Sequence, residues 1–184
     1  LKEGVILFLI KKIAMTTPSN LLLVVTATTT ALMAGLFYAW SVSVTPGLAH
    51  VTDREYVAAM QAMNRAILNP VFFAAFMGTL FLLPVTTYVH YAQPLSARFW
   101  FLTAATVVYV VGVFGVTAVG NVPLNNALDV FPLATASDTE VAARRLSFEG
   151  PWNSLNTIRT YAAVLAIVLV ILACLSPKES VASV

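Results

Sequence analysis

Four stretches of this chain carry no Asp, Glu, Lys or Arg: Ile13 to Thr52, Ala66 to Ala97, Phe99 to Leu128 and Thr160 to Pro177. A helix needs about 20 apolar residues to cross a bilayer core, and each stretch supplies them, the last only just. Backbone in hydrocarbon has no water to bond to, so stretches of this kind fold as helices that satisfy their own N–H and C=O groups. The pattern therefore predicts an all-α membrane protein, a bundle of four transmembrane helices. Composition agrees: 59% of the 184 residues are apolar and only 10% charged, against about 25% charged in ordinary soluble domains.

Punctuation along the chain sets the expected boundaries. Pro18-Ser19 starts the first helix, which runs to about Val44, where Pro46-Gly47 ends it. Asp53 to Met63 follows as a short amphipathic helix at the interface, with Tyr56, Met60 and Met63 on one face. Asn69-Pro70 opens the second helix, and Pro84 kinks or ends it. The third helix runs from about Phe99 to Gly120, with Gly112, Gly115 and Gly120 allowing a close neighbour and offering a surface for a homo-oligomer. A long, partly helical loop is expected between the third and fourth helices, from Asn121 to Asn153, with a capping-box start at Ser137-Asp138-Thr139-Glu140. The fourth helix starts near Trp152 and stops before Pro177. Residues 1–14 read as an N-terminal extension preceding a translation start at Met15, residues 15–177 as the transmembrane domain, and residues 178–184 as a polar tail.

The charges that do occur exclude several classes. Net charge is +2, and the basic residues sit singly or in pairs at helix ends rather than in a stripe, which argues against nucleic acid as a partner. The lipid bilayer and a lipophilic small molecule are the partners expected instead. Basic residues divide five against five between the two faces with residues 1–14, and two against five without them, so charge does not set the orientation. No protein-ligated metal is predicted. His50 and His90 flank the second span, about 30 Å apart along a helix, and the sequence holds no HxxH, HExxH, CxxC or ExxH spacing. Cys174 is the single cysteine and has no intrachain partner for a disulfide.

Most of the polar residues that are costly in a membrane cluster toward one face: Asn64, Arg65 and Asn69 at the second helix, Asn121 and Asn125 after the third, and Asn153, Asn156 and Arg159 at the fourth. Such groups persist near hydrocarbon where they are paired or line a cavity. Trp152, Asn156 and Arg159 stand at i, i+4 and i+7, on one side of a helix. Facing inward, they give a polar pocket with an aromatic wall. Each also has a plainer reading. Arg159 can snorkel to the headgroups rather than meet Glu149 or a substrate oxyanion. Asn69 and Asn121 can cap helices, and Trp152 can sit in an interfacial belt.

These residues resemble a known family. Tyr38, Pro46-Gly47-Leu48, Met60-Gln61-Ala62-Met63-Asn64-Arg65 with Asn69-Pro70, Gly120-Asn121-Val122-Pro123-Leu124-Asn125, and Phe148-Glu149-Gly150-Pro151-Trp152-Asn153 with Asn156 and Arg159-Thr160 are similar to the anthrone oxygenase-like integral membrane family, in its bacterial branch. The resemblance spans about residues 21–175, and the Asn-Val-Pro-Leu-Asn and Trp-Asn-x-x-Asn-x-x-Arg pieces are its most specific parts. It implies four transmembrane helices in a bacterial inner (plasma) membrane and, from the fungal members that gave the name, oxidation of polycyclic anthrones to anthraquinones with dioxygen as co-substrate. Any further cofactor stays open.

An oxygenase of that kind needs a dry slot, a base, and donors aimed at a developing oxyanion. By residue type, Arg159, Asn156 and Asn125 are the candidate donors and Glu149 or His50 the candidate base. Trp152, Tyr38 and Phe72 are candidate walls, with Asn64, Asn69 and Asn121 at the polar rim. The rival reading is a non-catalytic membrane protein that binds a small lipophile, or a partner subunit whose asparagines lock the bundle.

Overall fold

The computed structural model describes residues 17–91 and 96–176. The extension at residues 1–14, the tail at 178–184 and the Gln93-Pro94 turn lie outside the described residues. Among those described, every regular element is helical. We number them α1 (Pro18–Leu48), α2 (Asp53–Ala66), α3 (Pro70–Val89), α4 (Ala97–Asp129) and α5 (Asp138–Leu175). All but α2 are long and apolar enough to cross a membrane.

Local chemistry starts each helix. Thr17, Asn69 and Ser96 cap α1, α3 and α4 by accepting a backbone N–H three residues on. Thr52 and Ser137 form complete capping boxes with Glu55 and Glu140 at α2 and α5. The hydrogen bonds from Thr52 hold the Glu55 carboxyl below its ordinary range. Threonines inside α1 are satisfied within the helix: Thr28, Thr29 and Thr30 donate to Val24 O, Thr26 O and Thr26 O.

The helices run further than their prolines suggest. Pro46-Gly47 does not end α1, and Asn121 does not begin a loop. In both places the helix widens to a π-turn, at Trp40–Val44 and Thr117–Asn121, in which Thr45 N–H and Val122 N–H donate to carbonyls five residues back, on Trp40 and Thr117. A proline ring clashes with the carbonyl four residues before it. Pro46 and Pro123 each stand two residues past a π-turn, where the wider register makes room for the ring. A further π-helical stretch spans Tyr109–Gly115. Pro84 and Pro151 likewise lie inside continuous helices. The expected long loop therefore shrinks to residues 130–137, because α4 extends to Asp129 and the helix begun at Ser137 continues unbroken through Gly150-Pro151 into the last span.

Two cores result. Within the bundle, Met33, Phe37, Phe76, Leu83, Tyr109, Val113, Ala163, Ala166 and Val170 are buried together. At one end, α2 lays Tyr56, Val57 and Met60 against Leu128, Val141, Phe148 and Trp152. At 38 residues and 1.5 Å per residue, α5 is about 57 Å long. That is well beyond the roughly 30 Å of a hydrocarbon core, so one helix serves both cores.

Small residues set the α4–α5 spacing. A Cβ built on Gly112 would sit 2.6 Å from Ala162 Cβ, whereas one on Gly120 would meet the tip of Leu155 at 2.8 Å. Gly112 and Gly120 therefore face α5 of their own chain, while Gly115 faces the Val110 carbonyl of its own helix. Gly112→Ala must push two helices apart and is expected to cost about 1–2 kcal/mol after the gain in helix propensity. Gly120→Ala needs only a rotamer change in Leu155 and is expected to cost less than half as much. Thermal unfolding of both variants in one detergent checks this, and equal losses would contradict the packing.

Candidate functional site

Where α1, α3, α4 and α5 approach the α2 end of the bundle, they leave a cavity of about 320 Å³. Its walls are mostly apolar and include six aromatic side chains. Phe72 and Phe76, one turn apart on α3, stack at 5.2 Å between centroids, and Trp40 tilts against Trp152 at 5.6 Å. Leu36 and Phe37 of α1, and Met63, Asn64 and Ile67 from the α2 end, complete the wall. Exposed Leu68, Phe73 and Val122 edge the mouth, between the start of α3 and the end of α4.

Arg159 forms the polar end. Its side chain is buried, with residue exposure of only 6%. The guanidinium lies 4.7 Å from the Phe37 ring centroid and 5.3 Å from that of Trp152. Nη2 donates to Asn156 Oδ1 at 2.9 Å and Nη1 to Thr117 Oγ1 at 3.4 Å. Asn156 Nδ2 donates to Ser41 Oγ at 2.9 Å, and Ser41 and Thr160 share a hydroxyl hydrogen bond of 2.8 Å. The π-turns carry Ser41 and Thr117 into this network. Nearby, Trp152 Nε1 donates to Asn125 Oδ1 at 2.8 Å.

No described carboxylate neutralises Arg159. Asp53 and Glu149 pair with Arg145, Asp129 with Arg65 and Asp138 with Arg54, while Glu55 and Glu140 close the capping boxes. A buried cation that meets only aromatic faces and neutral acceptors favours an anion beside it.

The structure brings together part of the sequence-derived set. Arg159, Asn156, Asn125, Trp152, Phe72 and Asn64 all line the cavity. The others stand elsewhere. His50 is exposed in the turn after α1. Glu149 accepts from Arg145 Nε at 2.7 Å, one turn earlier on α5, and so is not the partner of Arg159. Tyr38 is 56% exposed and lines a separate groove with Tyr161 and Val164, because it points away from Phe37 on α1. Asn69 is spent on capping, accepting from Phe72 N–H and donating to Ala66 O. Asn121 is buried beside the cavity rather than in its wall.

Phe37, Trp40, Ser41, Phe76 and Thr117 are site residues that sequence reasoning missed. Phe37, Trp40 and Ser41 lie at i, i+3 and i+4, a spacing that marks one helix face. Among the described residues, no group of three or more His, Cys, Asp or Glu side chains is placed to hold a metal ion.

Arg145 organises the neighbouring end. Besides Glu149 it donates to Asp53 at 3.0 Å and to the carbonyls of Val51, Leu48 and Ala49, and it covers the Tyr56 ring at 4.5 Å. This clasp holds the α1–α2 turn, and with it α2, against α5. Burial pushes the Tyr56 phenol well above the usual tyrosine range, and the nearby Glu149 charge adds to the effect.

Fold and site together define a multi-pass helical membrane protein with an aromatic cavity at one end of its bundle. The anthrone oxygenase family matches residues 70–169, more than half of the chain, and the protein belongs to that family. The match includes Asn121 to Asn125 and Trp152 to Arg159, while Tyr38 and the Met60–Arg65 piece precede it. No curated protein and no solved structure matches the chain.

Proposed function

We propose that this protein is a membrane oxygenase that takes a lipophilic polycyclic aromatic or quinone-like compound into the cavity and oxidises it with dioxygen. The observation that carries the reading is the carboxylate-free guanidinium of Arg159 in the wall of an aromatic cavity. At about 320 Å³ that cavity is at the small end of the range for small-molecule sites, roughly 300–1,000 Å³. Its size and flat walls suit a fused-ring system. The setting expected for it is the plasma membrane of a bacterium.

Anthrone-type ketones are carbon acids whose enolates pass an electron to dioxygen directly. The ring CH₂ becomes C=O, one oxygen atom stays in the product and the other leaves with two hydrogens as water. The chain's part is to exclude water, hold the rings between Phe72, Phe76 and Trp152, and stabilise the oxyanion with Arg159. Asn156 positions the guanidinium through its Oδ1.

The test is dioxygen uptake and anthraquinone formation by the purified protein in lipid nanodiscs supplied with anthrone, against empty nanodiscs. A rate above the blank is expected, reduced about 10-fold in Asn156→Ala, since a positioning contact of this kind is worth on the order of 1–1.5 kcal/mol. A wild-type rate equal to the blank would remove the oxygenase reading. A second reading, a lipophile-binding protein without turnover, is favoured by the wall itself, whose one ionisable side chain is Arg159. Retention of the ligand without dioxygen uptake would select it.

A further inference from the structure

Five buried side-chain atoms have no hydrogen-bond partner among the described residues: Trp40 Nε1, Asn64 Nδ2, Arg159 Nε, and Oδ1 and Nδ2 of Asn121. The first three are N–H donors, and all three belong to side chains that line the cavity. Buried donors are rarely left without acceptors. Two acceptors in the wall are already engaged, Asn156 Oδ1 by Arg159 and Asn125 Oδ1 by Trp152, while the Asn121 oxygen, outside the wall, bonds to none of the three donors. The cavity is thus backed by surplus donors, closed off just behind its surface and within reach of a ligand after small side-chain turns, and by one unneutralised positive charge.

We propose that the cavity takes its ligand as a ring-conjugated oxyanion, an enolate or phenolate paired with Arg159, with Trp40 and Asn64 serving further acceptors on the same ring system. The inference rests on the proposed function for the ring system and for Arg159 as the partner of its oxygen; what it adds is that the ligand is bound already ionised. No lining side chain is Asp, Glu or His, so no group of the wall takes the proton, which leaves to the aqueous interface at the α2 end before the rings are enclosed. The base assigned by residue type to Glu149 or His50 is replaced by electrostatic bias toward the anion.

Charge then separates substrate from product. The enolate, dioxygen and one proton give the ketone and water, so the negative charge is gone once oxygen is transferred. A neutral quinone has no charge to pair with Arg159 and leaves more readily than the enolate.

The probe is 2-hydroxyanthraquinone, whose absorption moves to longer wavelength on ionisation, with 2-methoxyanthraquinone as its neutral comparator. Both are titrated against pH in protein-loaded and empty nanodiscs. The bound phenol is expected to ionise at least one pH unit below the phenol in empty nanodiscs. By linkage, its affinity falls as pH drops from the free to the bound ionisation midpoint and is flat outside that window. Arg159→Met should abolish the shift and Arg159→Lys should keep part of it. Trp40→Phe, which retains a ring but loses the N–H, should weaken the ionised probe 3- to 10-fold.

Binding of the methoxy ether should change less than 3-fold in Arg159→Met, which also shows that the cavity still forms. Replacing a buried charge with an apolar side chain of similar length is commonly tolerated. No shift in the wild type, the same shift in Arg159→Met, or a methoxy ether bound as tightly as the ionised phenol would each overturn the proposal. Dioxygen uptake is read separately. Turnover without a shift sinks this inference and leaves the oxygenase, whereas a shift without turnover does the reverse.

Discussion

Arg159→Met is expected to lower kcat/KM for dioxygen-dependent oxidation by about 100-fold or more, the usual loss when a preorganised oxyanion donor is removed from a dry site. Far-ultraviolet circular dichroism should be unchanged, because the substitution removes a buried charge that no described carboxylate balances. Arg159→Lys keeps the charge but loses the planar fork that reaches Asn156 and Thr117 together. It should recover part of the rate. Dioxygen-electrode assays in nanodiscs at saturating and limiting substrate check the prediction. An Arg159→Met enzyme within 3-fold of wild type would take the guanidinium out of the chemistry.

The largest loss of stability is expected at Arg145. Arg145→Met removes charge-assisted hydrogen bonds to Glu149 and Asp53 and leaves the carbonyls of Leu48, Ala49 and Val51 without their donor. The Glu149 contact should dominate, since that side chain is 23% exposed and Asp53 is 47% exposed and better screened. A cost of about 3 kcal/mol follows for a largely buried pair broken on one side. It should be read as a lower Tm together with faster amide exchange at residues 48–56. Glu149→Gln should cost less than half as much, because the amide oxygen still accepts. Unchanged exchange in Arg145→Met would mean that α2 is held by its apolar face alone.

The four spans were legible because charge is too costly in hydrocarbon to be scattered through a membrane helix, so its absence marks each segment. The spacing of Trp152, Asn156 and Arg159 was legible for the same kind of reason, since helical periodicity fixes which side chains share a face. The π-turns were not. Whether a carbonyl bonds four or five residues ahead leaves no mark in apolar patterning, so Pro46-Gly47 read as the end of a helix and Asn121 as the start of a loop where the helix continues. That error turned the end of α4 into a loop; Trp40 and Ser41, inside the expected first helix, were instead readable from their i+3 and i+4 spacing to Phe37. The Glu149 assignment failed on competition. Arg145, one turn away on the same helix, is a nearer cation than Arg159, and the i, i+4 spacing was there to be read.

The mouth bordered by Leu68, Phe73 and Val122 has a consequence for dose. A guest entering sideways from the acyl chains is sampled at its mole fraction in lipid, not at its molarity in buffer. Adding protein-free vesicles should then slow the reaction by dilution in two dimensions, with no inhibitor present, while the total amount of compound in the tube stays fixed.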